Sequence, residues 1–332
     1  MEKCAVVVPS WNGLDELKNS IPSLLSLTGK PKIIVVENGS VDGSADYLAK
    51  THPEVDVVQL LSNRGFAGGV NAGIEHAREQ GFTFVALFNN DAVADPDWLT
   101  LLHGYIVKHP DVGIATGSFL GHDGKTIDST GDMYTIWGLP YPRGRGDSVA
   151  SLPEEPEMIF AATGGASLFR MKMLDQIGLF DEDFFAYYED VDLGFRAQLA
   201  GWKVALVPDA RAYHEQGTTS SKIKGFTTYQ TLKNLPFLAI KNVPIGLLWM
   251  VLPRLCIADM LFTLRALSRG HIGPVLKAYA MRFWLTPKML AKRHRIQRTR
   301  KLTTPEVEML IDHELPPNAR MLRKFLGARS QS

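Results

Sequence analysis

Apolar positions in the first two-thirds of this chain follow two alternating rhythms. Short runs rich in β-branched and aromatic residues recur at 5–8, 33–36, 55–60, 83–88, 113–117, 166–169 and 203–207. Most are apolar at nearly every position, which predicts strands covered on both faces, as in a parallel sheet. Between them the spacing turns helical. Leu14, Leu17, Ile21, Leu24 and Leu25 share one helix face, residues 71–80 read as a second helix, and Glu189 opens a third that runs to Ala200 and stops at Gly201. Strand and helix in alternation predict an α/β fold, a Rossmann-like, mostly parallel sheet with helices on both faces. Gly, Asn and Asp gather just after the strands, where such sheets hold ligands.

Two stretches break the rhythm. Residues 118–160 carry Gly121-His122-Asp123-Gly124 and the turn-rich run from Gly138 to Asp147. Their poor periodicity predicts a long irregular insertion, either a substrate loop or a surface loop. After residue 225 the pattern becomes helical and basic, which divides the chain into residues 1–225 and 226–332. The longest charge-free run there, Asn242 to Pro253, is too short to span a bilayer. Large apolar side chains from Ile245 to Leu261, Trp249 and Trp284, and the basic residues from Arg282 to Lys301 predict amphipathic helices lying in a membrane interface.

Charge sharpens this division. Residues 1–215 hold 16 basic and 30 acidic residues, whereas residues 216–305 hold 16 basic residues and one acid, Asp259. The basic part is expected to seek an anionic membrane surface; no nucleic-acid recognition motif accompanies it. Cys4 and Cys256 are the two cysteines of the 332-residue chain, which excludes a disulfide framework and fits a reducing compartment. The first residues read directly as a strand rather than as a signal peptide.

Candidate chemistry sits at the strand ends. Glu37 closes the run Ile33–Val36, where an acid commonly accepts hydrogen bonds from a ribose or a base; Asp42 and Ser44 beyond it are turn and cap residues. Asn63 to Gly73 places glycines and Arg64 at a helix start, a natural anion site with a cation for a diphosphate. Asp91 follows Phe88-Asn89-Asn90 and is the metal candidate: one carboxylate among amides would hold Mg2+ or Mn2+ with help from a substrate diphosphate. Asp95 and Asp97 read as turn and cap residues. Glu189, Asp190 and Asp192 begin a helix, so one acid is available for catalysis while another caps; the aromatic run from Phe184 to Tyr188 before them is suited to wall a sugar site. His214 ends a strand and could complete the metal shell.

Taken in order, these motifs resemble the family 2 inverting glycosyltransferases, especially the rhamnosyltransferase-like branch. The matching stretches are Val8 to Gly13, Glu37 to Ser44, Asn63 to Gly73, Phe88 to Asp91, Thr163 to Ala166, Gly178 to Glu182, Glu189 to Arg196 and Pro208 to His214. Each is short, but their shared order over residues 4–217 is specific. The resemblance implies a GT-A type fold and a nucleotide-sugar donor. It assigns Asp190 as the catalytic base and Asp91 and His214 to the metal. Pro9, Glu37, Asn63, Arg64, Gly68, Asn71 and Asn90 fall to the nucleotide, and Gly164, Gly165, Tyr188 and Glu189 to the donor and acceptor sugars. Two departures stand out: the nucleoside acid is usually Asp rather than Glu37, and the metal motif often carries two acids where this chain has Asn89-Asn90-Asp91.

The implied reaction is a single displacement that inverts the anomeric centre. Asp190, expected to be ionised at neutral pH, takes the acceptor's proton, while the metal and Arg64 offset charge on the departing diphosphate. The expected role is extension of a glycan or lipid-linked saccharide in bacterial surface polysaccharide synthesis. The protein is expected to be peripheral at the cytoplasmic face of the inner membrane, with dTDP-rhamnose as the first-guess donor. Two alternatives are a sugar nucleotidyltransferase and a non-catalytic membrane-bound scaffold. The loop Pro9-Ser10-Trp11-Asn12-Gly13 lacks the Gly-rich basic character of the former, and the single metal acid mildly favours the latter.

Overall fold

A computed structural model describes residues 3–214 and 223–326. The first element is strand β1 (Cys4–Ser10), followed by α1 (Leu14–Leu25), β2 (Lys32–Asn38), α2 (Ser44–Thr51), β3 (Asp56–Leu60), α3 (Gly65–Glu79) and β4 (Phe84–Phe88). The strands pair in parallel, with β1 between β2 and β4 and β3 outside β2. Alternate residues of the sheet feed two cores. Val6, Val8, Ile33 and Val35 face Leu17, Ile21 and Leu24 of α1. Ala5, Val7, Ile34 and Val36 face Ala67, Val70 and Ile74 of α3. Gly73 permits the closest approach of α3 to the sheet, since a β-carbon there would collide with Val7.

The sheet continues through smaller elements: β5 (Ala92–Ala94), α4 (Trp98–Lys108), β6 (Val112–Gly121), β7 (Ile127–Ser129), β8 (Asp132–Tyr134), β9 (Pro140–Pro142), β10 (Glu157–Ile159), β11 (Ala166–Arg170), α5 (Met171–Ile177), α6 (Glu189–Leu199) and β12 (Lys203–His214). The order along the main sheet is β10-β12-β6-β11-β4-β1-β2-β3, with β5 on β12 and β7 on β6. The β11 strand runs antiparallel between β4 and β6. Helices cover both faces, as the hydrophobic pattern predicts.

The expectation of an irregular insertion over 118–160 is corrected. The stretch holds β7 to β10, and Ser129, Thr130 and Tyr134 within it are buried. Three-residue strands are too short to show a period, and their order comes from backbone pairing rather than from an apolar face.

The chain divides into two compact units. One takes residues up to 132, 142–197 and 202 to the end of β12; the other takes 133–141, 198–201 and the helical region. The second unit is built on α7 (Phe226–Asn242), α8 (Ile245–Ser268) and α9 (Ile272–Thr299), followed by α10 (Thr304–Leu310) and α11 (Arg320–Leu326). Leu232, Ala266, Val275 and Ala278 form a small core. Arg293 donates to the carbonyls of Ile240 and Val243 at 2.8 and 2.7 Å, satisfying the last turn of α7. The charge-free run Asn242–Pro253 leads into a longer helix: α8 continues through Pro253, Arg254 and Asp259, and is long and apolar enough to cross a membrane by length and composition only.

Candidate active site

The sheet assembles its chemistry from strand ends. After Val207 the register between β12 and β6 shifts, and the Ser118 hydroxyl donates to the Pro208 carbonyl at 2.8 Å. The strand then resumes pairing with β6 and gains β5 as a second neighbour, with His214 opposite Ala92. This register brings His214 beside Asp91. The His214 Nε2 atom lies 3.4 Å from Asp91 Oδ1, and both side chains are mostly buried. On the other side of the ring, Nδ1 lies 3.0 Å from Asp128 Oδ2, contributed by β7, and Phe119 of β6 stacks on the imidazole at 4.8 Å.

Asp128 is a functional candidate that sequence reasoning missed. Its carboxylate fixes the ring orientation and leaves Nε2 directed to the Asp91 side, the arrangement by which a carboxylate orients a metal-binding histidine. Burial opposes the charge of Asp128, but the hydrogen bond to His214 and the nearby Arg145 (3.2 Å) hold its carboxyl below the usual range. Burial likewise disfavours the imidazolium, yet the flanking Asp128 and Asp91 outweigh it and bring His214 to about 9. Among the described residues no cluster of three or more His, Cys, Asp or Glu side chains suits a metal ion. The donor set fits a hard divalent cation only if other oxygens complete the shell, which suits an ion carried on a diphosphate.

Asp190 stands at the start of α6. Its Oδ2 accepts from the Gly164 amide at 3.1 Å and its Oδ1 from the Val191 amide at 2.8 Å. The Gly164–Gly165 turn links it to the metal strand, because the Gly165 carbonyl accepts from the Asn89 amide at 2.8 Å. A β-carbon on Gly165 would press on the Asn89 side chain at 3.0 Å. Burial raises the Asp190 carboxyl, against the backbone amides that lower it. A second missed acid, Asp132 at the start of β8, lies close enough to couple to it. Burial and the Asp190 charge push Asp132 well above the usual carboxylate range. Both Asp128 and Asp132 lie in the turn-rich stretch, where a lone Asp reads as a turn former.

Several expected ligand contacts have other partners. Asn71 donates to the Phe180 carbonyl at 2.9 Å and accepts from the Phe180 amide at 3.0 Å, so its amide clamps that turn. Arg64 is held by Glu182 at 2.9 Å, which neutralises the cation expected for a diphosphate. A β-carbon on Gly68 would meet the Arg64 side chain at 2.6 Å, so this glycine makes room for a side chain rather than for a phosphate. The open anion site expected at the start of α3 is covered: the Ala67 amide donates to the Phe185 carbonyl, and the Gly65 amide to Asn63 Oδ1 at 2.7 Å. Asn63 is therefore a loop former here, braced by Asn38 at 3.3 Å. Asp192 is fully buried and paired with Arg196 at 2.9 Å, and the same guanidinium donates to the carbonyls of Ile177, Gly178 and Leu179. The acidic helix start thus separates into one structural acid and one facing Gly164.

The remaining candidates are placed as follows. Glu37 pairs in register with Ser10 at the end of β1. It is 1% exposed; Oε2 accepts from Ser44 at 3.0 Å, while Oε1 is buried without a hydrogen bond of acceptable geometry. Burial raises its carboxyl, offset in part by the Ser40 and Ser44 hydroxyls. A buried carboxylate at a strand end suits a donor from a nucleoside. Asp42 accepts from the Leu14 amide at 2.9 Å and so caps α1 from a distant loop. Pro9 lies near Gly69, and Asn90 donates to Ser10 at 3.3 Å over the close backbone of Gly13. Glu189 is buried at the start of α6, and Tyr188 precedes it with φ of 72°, as do Phe185 and Tyr187 with φ of 65° and 70°. Left-handed backbone at three aromatic residues costs roughly 1–2 kcal/mol each and marks a segment shaped for a task.

The comparisons with known proteins bear on the family and the fold. The sequence model of the family described as Glycosyltransferase like family 2 matches residues 2–230. An N-acetylglucosaminyl-diphospho-decaprenol L-rhamnosyltransferase of Mycobacterium tuberculosis is 26% identical over 237 residues, covering 65% of this chain and 77% of that protein. Among solved structures, the fold is similar to the mannosyltransferase PcManGT of Pyrobaculum calidifontis in complex with GDP-Man and Mn2+, with TM-score 0.53 and 15% identity over 90% of this chain and 85% of that one. It is also similar to GalNAc-T7 with UDP, GalNAc and Mn2+, with TM-score 0.58 and 17% identity over 72% of this chain; the chain spans 48% of that structure.

Proposed function

The chain belongs to the glycosyltransferase-like family 2 and is a glycosyltransferase of GT-A type fold, and from that premise we propose that it transfers a sugar, with inversion, from a nucleotide-sugar to a glycan or lipid-linked saccharide. The observation that carries the proposal is the juxtaposition of Asp91 with His214 at 3.4 Å, joined through the Gly164–Gly165 turn to Asp190. Asp91 and His214 would hold Mg2+ or Mn2+ on the donor's diphosphate, and the ion supplies charge neutralisation for the departing nucleoside diphosphate. Glu37 would receive a donor group of the nucleoside at its buried carboxylate. Asp190, tethered by two amides, takes the proton from the acceptor hydroxyl at its carboxylate oxygen. Burial and mutual repulsion disfavour charge on Asp190 and Asp132 together, so a single charged carboxylate is expected in the pair during attack.

Rhamnose is the sugar that the mycobacterial relative's name supports, and dTDP-rhamnose is the first donor to test. The mannosyltransferase structure, in complex with GDP-Man, makes GDP-mannose the second. A sugar nucleotidyltransferase gains no support from the family match. We further infer that the basic C-terminal region docks the enzyme peripherally on an anionic membrane, at the cytoplasmic face. A panel of nucleotide-sugars with Mn2+ should raise the melting temperature for the true donor. With that donor, Asp190→Asn should bind normally and lose transfer by about 10²–10⁴-fold. Near-normal turnover in the variant removes Asp190 as the base. Transfer that persists fully in EDTA removes the metal from the mechanism.

A further inference from the structure

The helical unit carries two long apolar stripes that nothing in the catalytic reading uses. On α8 the exposed positions Ile245, Trp249, Cys256, Met260, Leu264 and Leu267 recur at helical spacing along about 33 Å. Trp249 is 70% exposed. The opposite side of the same helix is buried through Leu247, Val251, Leu255, Ala258 and Leu261. On α9 the exposed residues Ile272, Leu276, Phe283, Trp284 and Leu290 make a second stripe, with Phe283 at 84% and Trp284 at 77% exposure. This stripe gives way near the helix end to exposed His294, Arg295 and Arg298. Aromatic side chains left in water on both helices mark a surface built for another medium.

We propose that α8 and α9 lie in the plane of an anionic phospholipid surface, their apolar stripes sunk to the level of the acyl boundary and the basic end of α9 against lipid phosphates. This rests on the peripheral-membrane reading above and adds the face and the mode. Charge complementarity selects the lipid: residues 216–305 hold 16 basic residues and one acid. That acid, Asp259, is already neutralised inside the unit by Arg282 at 2.8 Å and by the Tyr279 hydroxyl at 3.0 Å. The same pair argues for the in-plane mode. It sits mid-way along α8, on the packed side, and the helix is apolar toward solvent on one side only, whereas a spanning helix meets lipid on several. Trp249 and Trp284 have the amphipathic rings that settle at headgroup depth.

The test uses the full chain with vesicles of phosphatidylcholine alone or mixed with phosphatidylglycerol. Co-sedimentation should need the anionic lipid and fall steeply with salt, and brominated lipids should quench tryptophan emission. The double variant Trp249→Glu, Phe283→Glu should bind at least tenfold more weakly, with unchanged circular dichroism and unchanged thermal stabilisation by donor. Arg295→Glu with Arg298→Glu should abolish the preference for anionic lipid. Undiminished binding by the first variant overturns the proposal. Resistance to alkaline carbonate extraction overturns it in favour of a spanning helix. A dimer in sedimentation that the stripe variant dissociates, without change in vesicle binding, overturns it in favour of a second copy of this chain. Donor stabilisation is read in the same samples, so failure of the catalytic reading is seen separately.

Discussion

Single side chains decide the chemistry, and the acid pair gives the sharpest expectations. Burial raises Asp190, and a base works only when deprotonated, so activity falls as pH drops through its folded value. The acid limb of kcat/KM should therefore lie above the ordinary aspartate value of about 4. A limb at that ordinary value would show that the carboxylate is solvated during catalysis. Asp132→Asn keeps a neutral group beside Asp190 and should retain most of the turnover at neutral pH, measured with the same donor and acceptor. A loss as large as that of Asp190→Asn would hand the base role to Asp132. Asp128→Asn removes the carboxylate that orients His214 and should weaken Mn2+ affinity about 10–100-fold by direct binding. Asp91, His214, Glu37 and Asp190 were readable as candidates because each ends a strand or opens a helix in a recognisable order. Asp128 and Asp132 were not, because a carboxylate in a turn-rich stretch carries no sign of what the fold sets against it. Arg64 and Asn71 have side chains that suit a ligand, and the fold sets Glu182 and Phe180 within hydrogen-bonding reach of them, which the sequence does not show.

At the scale of elements, the long periods were readable and the short pairings were not. The parallel strands and the helices α1, α3 and α6 follow from alternating apolar patterns that burial on two faces demands. The three-residue strands β5 and β7 escaped notice, yet they place Asp91 and Asp128 on either side of His214. The Asp192–Arg196 pair does similar work for α6. Its guanidinium gathers three carbonyls of the turn after α5, and so fixes the helix whose first residues include Asp190. Arg196→Met takes the charge partner from a fully buried carboxylate and should lower stability by about 3–5 kcal/mol in urea unfolding. A change under about 1 kcal/mol would mean that Asp192 is neutral or solvated in the folded chain.

For the whole molecule, the charge division along the chain broadly follows the two compact units. The acidic unit holds the candidate site, while the basic unit combines apolar stripes with an excess of basic over acidic residues. The sequence displayed the basic character of the second unit but not its helix lengths, because Pro253, Arg254 and Asp259 look like interruptions until Arg282 is seen to neutralise the acid. We propose that, in the first unit, Asp91 and His214 hold a divalent ion together with a diphosphate, and that neither protein ligand suffices without it. Mn2+ binding followed by electron paramagnetic resonance, with and without nucleoside diphosphate, tests this directly. The account predicts weak binding of Mn2+ alone, at least tenfold tighter binding when the diphosphate is present, and loss of that gain in both Asp91→Asn and His214→Ala. An equal gain in the two variants would contradict it.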